Sequence, residues 1–217
     1  VGAVVTEIAE AVSRVGRQRW PTELTPTATR MVAALEEAFG LQLDLDDPDS
    51  LARQLGPFAR LIGAGTRHVA NPTMLDAGYK ANVIPGEASA AIDGRFVPGL
   101  EEEFLAEVDR LLGPKVRREF INHDVALESP YDVPLVDAMR TALEAEDPGC
   151  LMAPYVLSAG TDAKAFSRLG VAGYGFAPLR LPPDLDFPTL FHGVDERVPI
   201  DSLRFGVRVL DRFLRLA

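Results

Sequence analysis

Between residues 66 and 97 the chain gives up helical spacing for a period of two. Ala88, Ala90, Ile92, Gly94 and Phe96 alternate with Ser89, Ala91, Asp93 and Arg95, which is an extended segment with one polar face. Gly78 and the Pro85-Gly86 dipeptide separate this run from another short β-type run before it. Residues of that kind turn a chain back on itself, so two antiparallel strands are predicted. Helical patterns lie on both sides. Val1, Val4, Val5, Ile8, Val12 and Val15 recur on one helix face with Gly16 as a stop signal. After Pro98-Gly99, the residues Leu100, Phe104, Leu105, Val108, Leu111 and Leu112 form a second apolar face that ends at Gly113-Pro114. Residues 116–127 read as a further strand. The order is helix, strand, strand, helix, strand, and one strand added in front would complete a ferredoxin-like βαββαβ arrangement.

Inserted in this pattern are a helical stretch over residues 30–39, a loop over 44–49 and a short helix near 51–61. After Glu128-Ser129-Pro130 the pattern changes. A helix over 134–144, a strand over 152–157, a helix over 163–169, a strand over 173–176, a proline-rich loop and a helix over 201–216 suggest α/β layering with parallel strands. The fold class is therefore α/β in two parts: residues 1–129, carrying the ferredoxin-like pattern and its helical insertion, and residues 130–217, an α/β segment.

Composition narrows the function classes. With 47% hydrophobic and 25% charged residues in 217, the chain has the make-up of an ordinary globular protein. A net charge of -10 leaves no basic excess to displace counterions from a phosphate backbone, so nucleic acid is not an expected partner. No apolar run is long enough to span a bilayer, and no membrane partner is expected. The single cysteine, Cys150, can form neither an intrachain disulfide nor a cysteine zinc cluster, which fits a reducing, cytoplasmic location. The chain opens in helical periodicity without a methionine and so reads as a piece of a longer protein.

Three loops hold the candidate chemistry. In Gly78-Tyr79-Lys80-Ala81-Asn82-Val83-Ile84-Pro85, Asn82 reads either as a turn residue bonded to its own backbone or as an amide offered to a substrate carbonyl or carboxylate. Arg95, on the polar face of the next strand, has the guanidinium that grips a carboxylate in bidentate fashion. In Ser158-Ala159-Gly160-Thr161-Asp162-Ala163, Thr161 or Asp162 can cap the following helix, while Gly160 lets a ligand approach the backbone. In Phe191-His192-Gly193-Val194-Asp195-Glu196, His192 is either a satisfied polar residue or a metal ligand, and Asp195 and Glu196 are caps or solvated charges. His68 and His123 share no spacing with His192 that would complete a metal site, and no HxxH, HxD or CxxC pattern occurs.

Taken in order, the stretches NPTMLDAGYKANVIPGEASAAIDGRFVPG, SAGTDAKAFSRLGVAGYGFAP and LFHGVDERVPIDSLRFGVRVLDRFL resemble the M20 family of metallopeptidases and acylases, over essentially the whole chain. The stretch from Asn71 is similar to the strand, turn and strand of the family's lid, or dimerisation, domain. The stretch from Ser158 resembles its Gly-Thr-Asp substrate loop, and the stretch from Leu190 resembles its C-terminal ligand histidine with the terminal helix.

The resemblance implies a dinuclear site of two divalent ions, zinc or alternatively cobalt or manganese, whose bridging water attacks an amide carbonyl while a glutamate shuttles the proton. By position His192 would be the one metal ligand in this chain. Asn82 and Arg95 would contact the substrate carboxylate, and Gly160, Thr161 and Asp162 would line the pocket. The substrate expected is a small carboxylate-bearing N-acyl amino acid or dipeptide, and the partner a second copy joined through the lid. The catalytic glutamate and the other ligands belong to a half of the family's catalytic domain that these residues do not include. A catalytic zinc generally needs three protein ligands, so the chain alone is expected to be inactive. The rival reading is a non-catalytic dimerisation or small-molecule-binding module, which ferredoxin-like domains often are.

Overall fold

A computed structural model describes residues 4–56, 58–157 and 159–217. Val1 and Ser158, both named above, lie outside the described residues. The chain forms two compact units: residues 1–25 with 64–127, and residues 26–63 with 128–217.

The first unit is built on a hairpin. Strand β1 (Val69–Ala77) pairs antiparallel with β2 (Ala88–Arg95), from Val69 opposite Arg95 at the open end to Ala77 opposite Ala88 beside the turn. A bulge falls between Pro72 and Met74. Proline has no N–H for the ladder, which explains an irregularity there. Helices α1 (Val4–Arg17) and α5 (Glu101–Leu112) pack with the hairpin. Of the face read in α1, Ile8 and Val15 are buried, Val4 and Val12 are half-buried and Val5 is exposed, while Ala11, outside that reading, is buried; in α5 Phe104, Val108, Leu111 and Leu112 are buried as read. Gly16 does not stop α1, which runs on to Arg17.

At the centre of this core the Phe104 ring meets Trp20 at 5.1 Å, His68 at 5.2 Å and Phe96 at 5.8 Å. A Cβ on Gly94 would stand 3.1 Å from the same ring, so the small residue in β2 lets Phe104 approach the strand closely. The guanidinium of Arg14 reaches across to the end of α5, where Nε donates to the Leu111 carbonyl at 2.6 Å and Nη2 to that of Leu112 at 3.1 Å. These are carbonyls that a helix end leaves without internal partners.

The second unit starts with α2 (Pro26–Phe39), followed by α3 (Pro48–Leu55) and α4 (Phe58–Gly65), which runs across the unit boundary. The one short helix read over 51–61 is thus two, separated at Gly56. Asp47 caps α3, its Oδ1 accepting from the N–H groups of Asp49 and Ser50. Beyond residue 128 lie α6 (Pro134–Glu146), α7 (Ala163–Ser167), α8 (Phe187–Leu190) and α9 (Ile200–Leu216). Helices α6 and α9 bury Ala142, Phe205 and Val209, and Arg208 and Arg212 both reach Glu146, at 2.7 and 2.5 Å.

The result is a mixed α/β chain with a small antiparallel sheet. Residues 116–127, 152–157 and 173–176, read above as strands, form no strand. The physical reason is that a strand exists only through ladder hydrogen bonds to a neighbour. Among the described residues only β1 and β2 supply that to each other. No described helix is long and apolar enough to cross a membrane.

Candidate active site

In the first unit, Asn82 sits in the connection between β1 and β2, opened by Gly78 at φ 77° and closed over a turn in which the Val83 N–H donates to the Lys80 carbonyl at 3.2 Å. The Asn82 side chain is exposed and has no hydrogen-bond partner among the described residues. Its amide is thus not spent on its own backbone. Arg95 stands at the other end of β2, its Nε donating to Asp93 Oδ2 at 3.0 Å. The strand from Ala88 to Arg95 extends about 23 Å at the usual rise. The hairpin therefore holds Asn82 and Arg95 at opposite ends, and one small substrate head group does not span them within a single hairpin.

In the second unit, Gly160, Thr161 and Asp162 form the turn into α7. The Thr161 carbonyl accepts from the Lys164 N–H at 3.1 Å, and the Asp162 carbonyl from those of Ala165 and Phe166 at 2.9 and 3.1 Å. The expected side-chain cap is not made: Asp162 has helical backbone angles and its carboxylate takes no capping bond. The reason is geometric, since a capping side chain folds back onto the helix only from an extended backbone. The side chains of Thr161 and Asp162 are exposed and unpartnered among the described residues, and the space where a Gly160 side chain would be is open.

His192 follows α8 with φ 60°, the one non-glycine residue with positive φ among those described. Histidine enters this left-handed region more readily than most residues, at a cost of about 1–2 kcal/mol. Its imidazole is exposed, and the N–H of the next residue, Gly193, donates to the Leu190 carbonyl at 2.9 Å. Of the neighbouring acids, Asp195 is ion-paired with Arg197.

The other two histidines are engaged. His68 is buried, with Nδ1 accepting the Val97 N–H at 3.1 Å, and burial pushes its pKa down. His123 pairs with Glu101 and stacks on Phe120 at 4.2 Å between ring centroids.

Two of the six candidate residues thus lie in the first unit and four in the second. No group of three or more histidine, cysteine or acidic side chains able to hold a metal is gathered among the described residues. The described residues by themselves therefore do not fit a metal ion.

The family described as "Peptidase dimerisation domain" matches residues 5–118, and "Peptidase family M20/M25/M40" matches residues 62–216. The chain belongs to the M20 peptidase family.

Among curated relatives, it is 31% identical over 136 residues to the probable carboxypeptidase S-like 2 of Dictyostelium discoideum, covering 61% of this chain and 26% of that one. It is 25% identical over 224 residues to the human N-fatty-acyl-amino acid synthase/hydrolase PM20D1, covering 97% of this chain and 44% of that one. To human aminoacylase-1 it is 28% identical over 151 residues, covering 66% and 35%. The chain thus spans less than half the length of these relatives. In fold it is similar to the M20 family metallo-carboxypeptidase Sso-CP2 from Sulfolobus solfataricus, with a TM-score of 0.58 and 16% identity, covering 100% of this chain and 56% of that one.

Proposed function

We propose that this chain is the substrate-positioning part of a metal-dependent amide hydrolase that acts on a small carboxylate-bearing N-acyl amino acid or dipeptide. The observation that carries the reading is His192: an exposed, unpartnered imidazole held in a strained backbone, inside the segment matched by the peptidase family. Backbone strain that persists is commonly a mark of function. Asn82, Thr161 and Asp162 support it in the same way, since exposed polar side chains without internal partners are free to meet a ligand.

In this reading His192 supplies one ligand to a site of two divalent ions, zinc or else cobalt or manganese, and the remaining ligands come from sequence outside these 217 residues. The chemistry such a site would supply, with His192 as one of its ligands, is polarisation of an amide carbonyl and activation of water. The chain's own residues orient the substrate: the Asn82 amide and Arg95 guanidinium toward its carboxylate, and the backbone at Gly160 close to its body. The hairpin separation of Asn82 and Arg95 further favours a homodimer, in which the two act on different copies of the site. A cytoplasmic location agrees with a single unpaired cysteine, Cys150.

The experiment is metal analysis and a screen of N-acyl amino acids and dipeptides on the full-length protein and its His192→Ala variant. The expected result is bound divalent metal and hydrolysis in the first, with lower metal content and lost activity in the variant. Full activity and metal content in His192→Ala would sink the assignment. Turnover by the 217-residue chain alone with added zinc or cobalt would sink the division of labour.

A further inference from the structure

Helix α9 is apolar over more of its surface than its own unit uses. Phe205, Val209 and Phe213 share one side and pack with Ala142 and Leu143 of α6 and with Phe176. Ile200, Leu203, Val207, Leu210 and Leu214 recur at steps of three and four on a second side, turned about 140° from the first at the usual helical rotation. These five are 37% to 72% exposed. Asp201, Arg204, Arg208, Asp211, Arg212 and Arg215 fill the remaining sector of about 100°. A helix lying on a protein surface needs a single apolar stripe about 100° wide. Two apolar sides next to one charged side describe a helix enclosed from two directions.

Three observations bear on what covers the second side. The chain spans 56% of the Sso-CP2 chain and 44% of human PM20D1, so a comparable length of those proteins lies outside the matched part. Residues 152–157 and 173–176 of the same unit have strand-like composition and no ladder bonds, and a strand needs a neighbour to supply them. The stripe is also small. Five side chains are few against the roughly 20–30 residues a side of a stable interface between separate molecules, which disfavours a second copy. A segment of the same polypeptide needs no such area, because attachment keeps its effective concentration high.

We infer that the second apolar side of α9 is the docking face for the part of the full-length protein that lies outside these 217 residues. The inference rests on the function proposed above in one respect, that the same part brings the remaining ligands to His192, which stands shortly before the start of α9 at Ile200. The stripe holds that part by apolar contact alone, and the charged sector stays in solvent.

The test is thiol labelling with N-ethylmaleimide of the full-length protein carrying Val207→Cys on the stripe or Arg204→Cys in the charged sector. Peptide mass spectrometry reads each position apart from Cys150. Val207→Cys is a small change between apolar side chains, and Arg204 is exposed, so neither variant threatens the fold. In the full-length protein Val207→Cys should react at least about tenfold more slowly than Arg204→Cys, as expected for a covered position. In the 217-residue chain the two should react at similar rates. Equal rates in the full-length protein would overturn the inference. So would slow reaction of Val207→Cys in the 217-residue chain, which would assign the cover to a second copy. The His192→Ala metal analysis reads the other reading separately: protection at Val207 with metal content unchanged by His192→Ala would keep the docking face and remove the ligand.

Discussion

The first unit gathers its buried residues into one cluster around a single ring, whereas the longest helix of the second leaves an apolar stripe uncovered. Around Phe104, seven buried residues from α1, β1 and α5 form one cluster, and Trp20, Ile92, Phe96, Leu105 and Val116 pack on it. In the second unit, the cluster between α6 and α9 buries Ala142, Phe205 and Val209. Helix α9 shows the imbalance within one element. Phe205 and Val209 turn inward, while Leu203, Val207, Leu210 and Leu214 form another stripe at helical spacing that stays exposed. Residues 152–157 and 173–176 belong to the same unit and carry no ladder bonds. The lesson is that the part bearing Asn82 and Arg95 has the more contiguous core, while both parts leave apolar side chains exposed, Met74 and Ile121 in the first as well as the α9 stripe in the second.

The sharpest way to break that contrast is Phe104→Ala. Phe104 is 3% exposed and touches three other rings, so its loss should leave a cavity worth about 3–5 kcal/mol. Trp20, the only tryptophan, lies on this core and reports the first unit by itself in a urea titration. The Trp20 transition should move to much lower urea, while hydrogen exchange in α6 and α9 stays as it was. A change below about 1 kcal/mol would mean that the first core is not the organised one.

Arg14→Met comes next. It keeps the aliphatic stem but removes the two bonds to the Leu111 and Leu112 carbonyls, which tie α1 to the end of α5. The expected cost is about 1.5 kcal/mol, the lower end for a hydrogen bond to a charged group, since Arg14 is exposed. The same Trp20 transition measures it. An unchanged midpoint would show that apolar contact alone joins the helices.

A smaller effect belongs to the second unit. A Cβ at position 206 would come within 2.7 Å of the Pro178 carbonyl oxygen, and nearby Ser202 Oγ donates to the Arg180 carbonyl at 2.6 Å. Gly206→Ala would gain helix propensity of about 1 kcal/mol but overpack this seam by about 1–3 kcal/mol. The net loss should be about 1 kcal/mol, read as faster amide exchange in α9. Slower exchange would show that the seam is loose and that the second unit is even less determined than its small core suggests.

The same contrast governs how much was legible in the sequence. Helices whose periodicity is answered by a core of their own, α1 and α5, were readable to within a few residues, and so was the hairpin between them. Residues 152–157 and 173–176 have strand-like composition, but composition cannot supply the neighbour a ladder requires. Helix α8 is only four residues long and leaves no periodic trace. The family was carried by ordered motifs rather than by any single residue. What the sequence could not disclose about the site was geometry: the positive φ of His192, the uncapped Asp162, and the length of strand between Asn82 and Arg95.

The smallest expected effect is a pH dependence confined to the first unit. His68 accepts the Val97 N–H on Nδ1, so it is held neutral with its proton on Nε2, and it lies edge-on to Trp20 at 5.4 Å. Burial lowers its pKa, with Glu23 and Glu103 opposing the shift. An unfolded chain protonates this imidazole near its ordinary value of about 6.5, while the native state resists. Below that pH the unfolded state therefore binds more protons, and stability falls as pH falls. The contribution is present in full above about pH 6.5 and is lost on descending through the lowered native value. The Trp20 urea midpoint should drop between about pH 7 and pH 5. His68→Asn, which retains an acceptor for Val97, should flatten that slope. In the second unit the one histidine, His192, is exposed, so amide exchange in α6 and α9, corrected for intrinsic rates, should not follow the same curve. If the His68→Asn variant keeps the slope, or if both units weaken together, the first core is not the self-contained body that its packing describes.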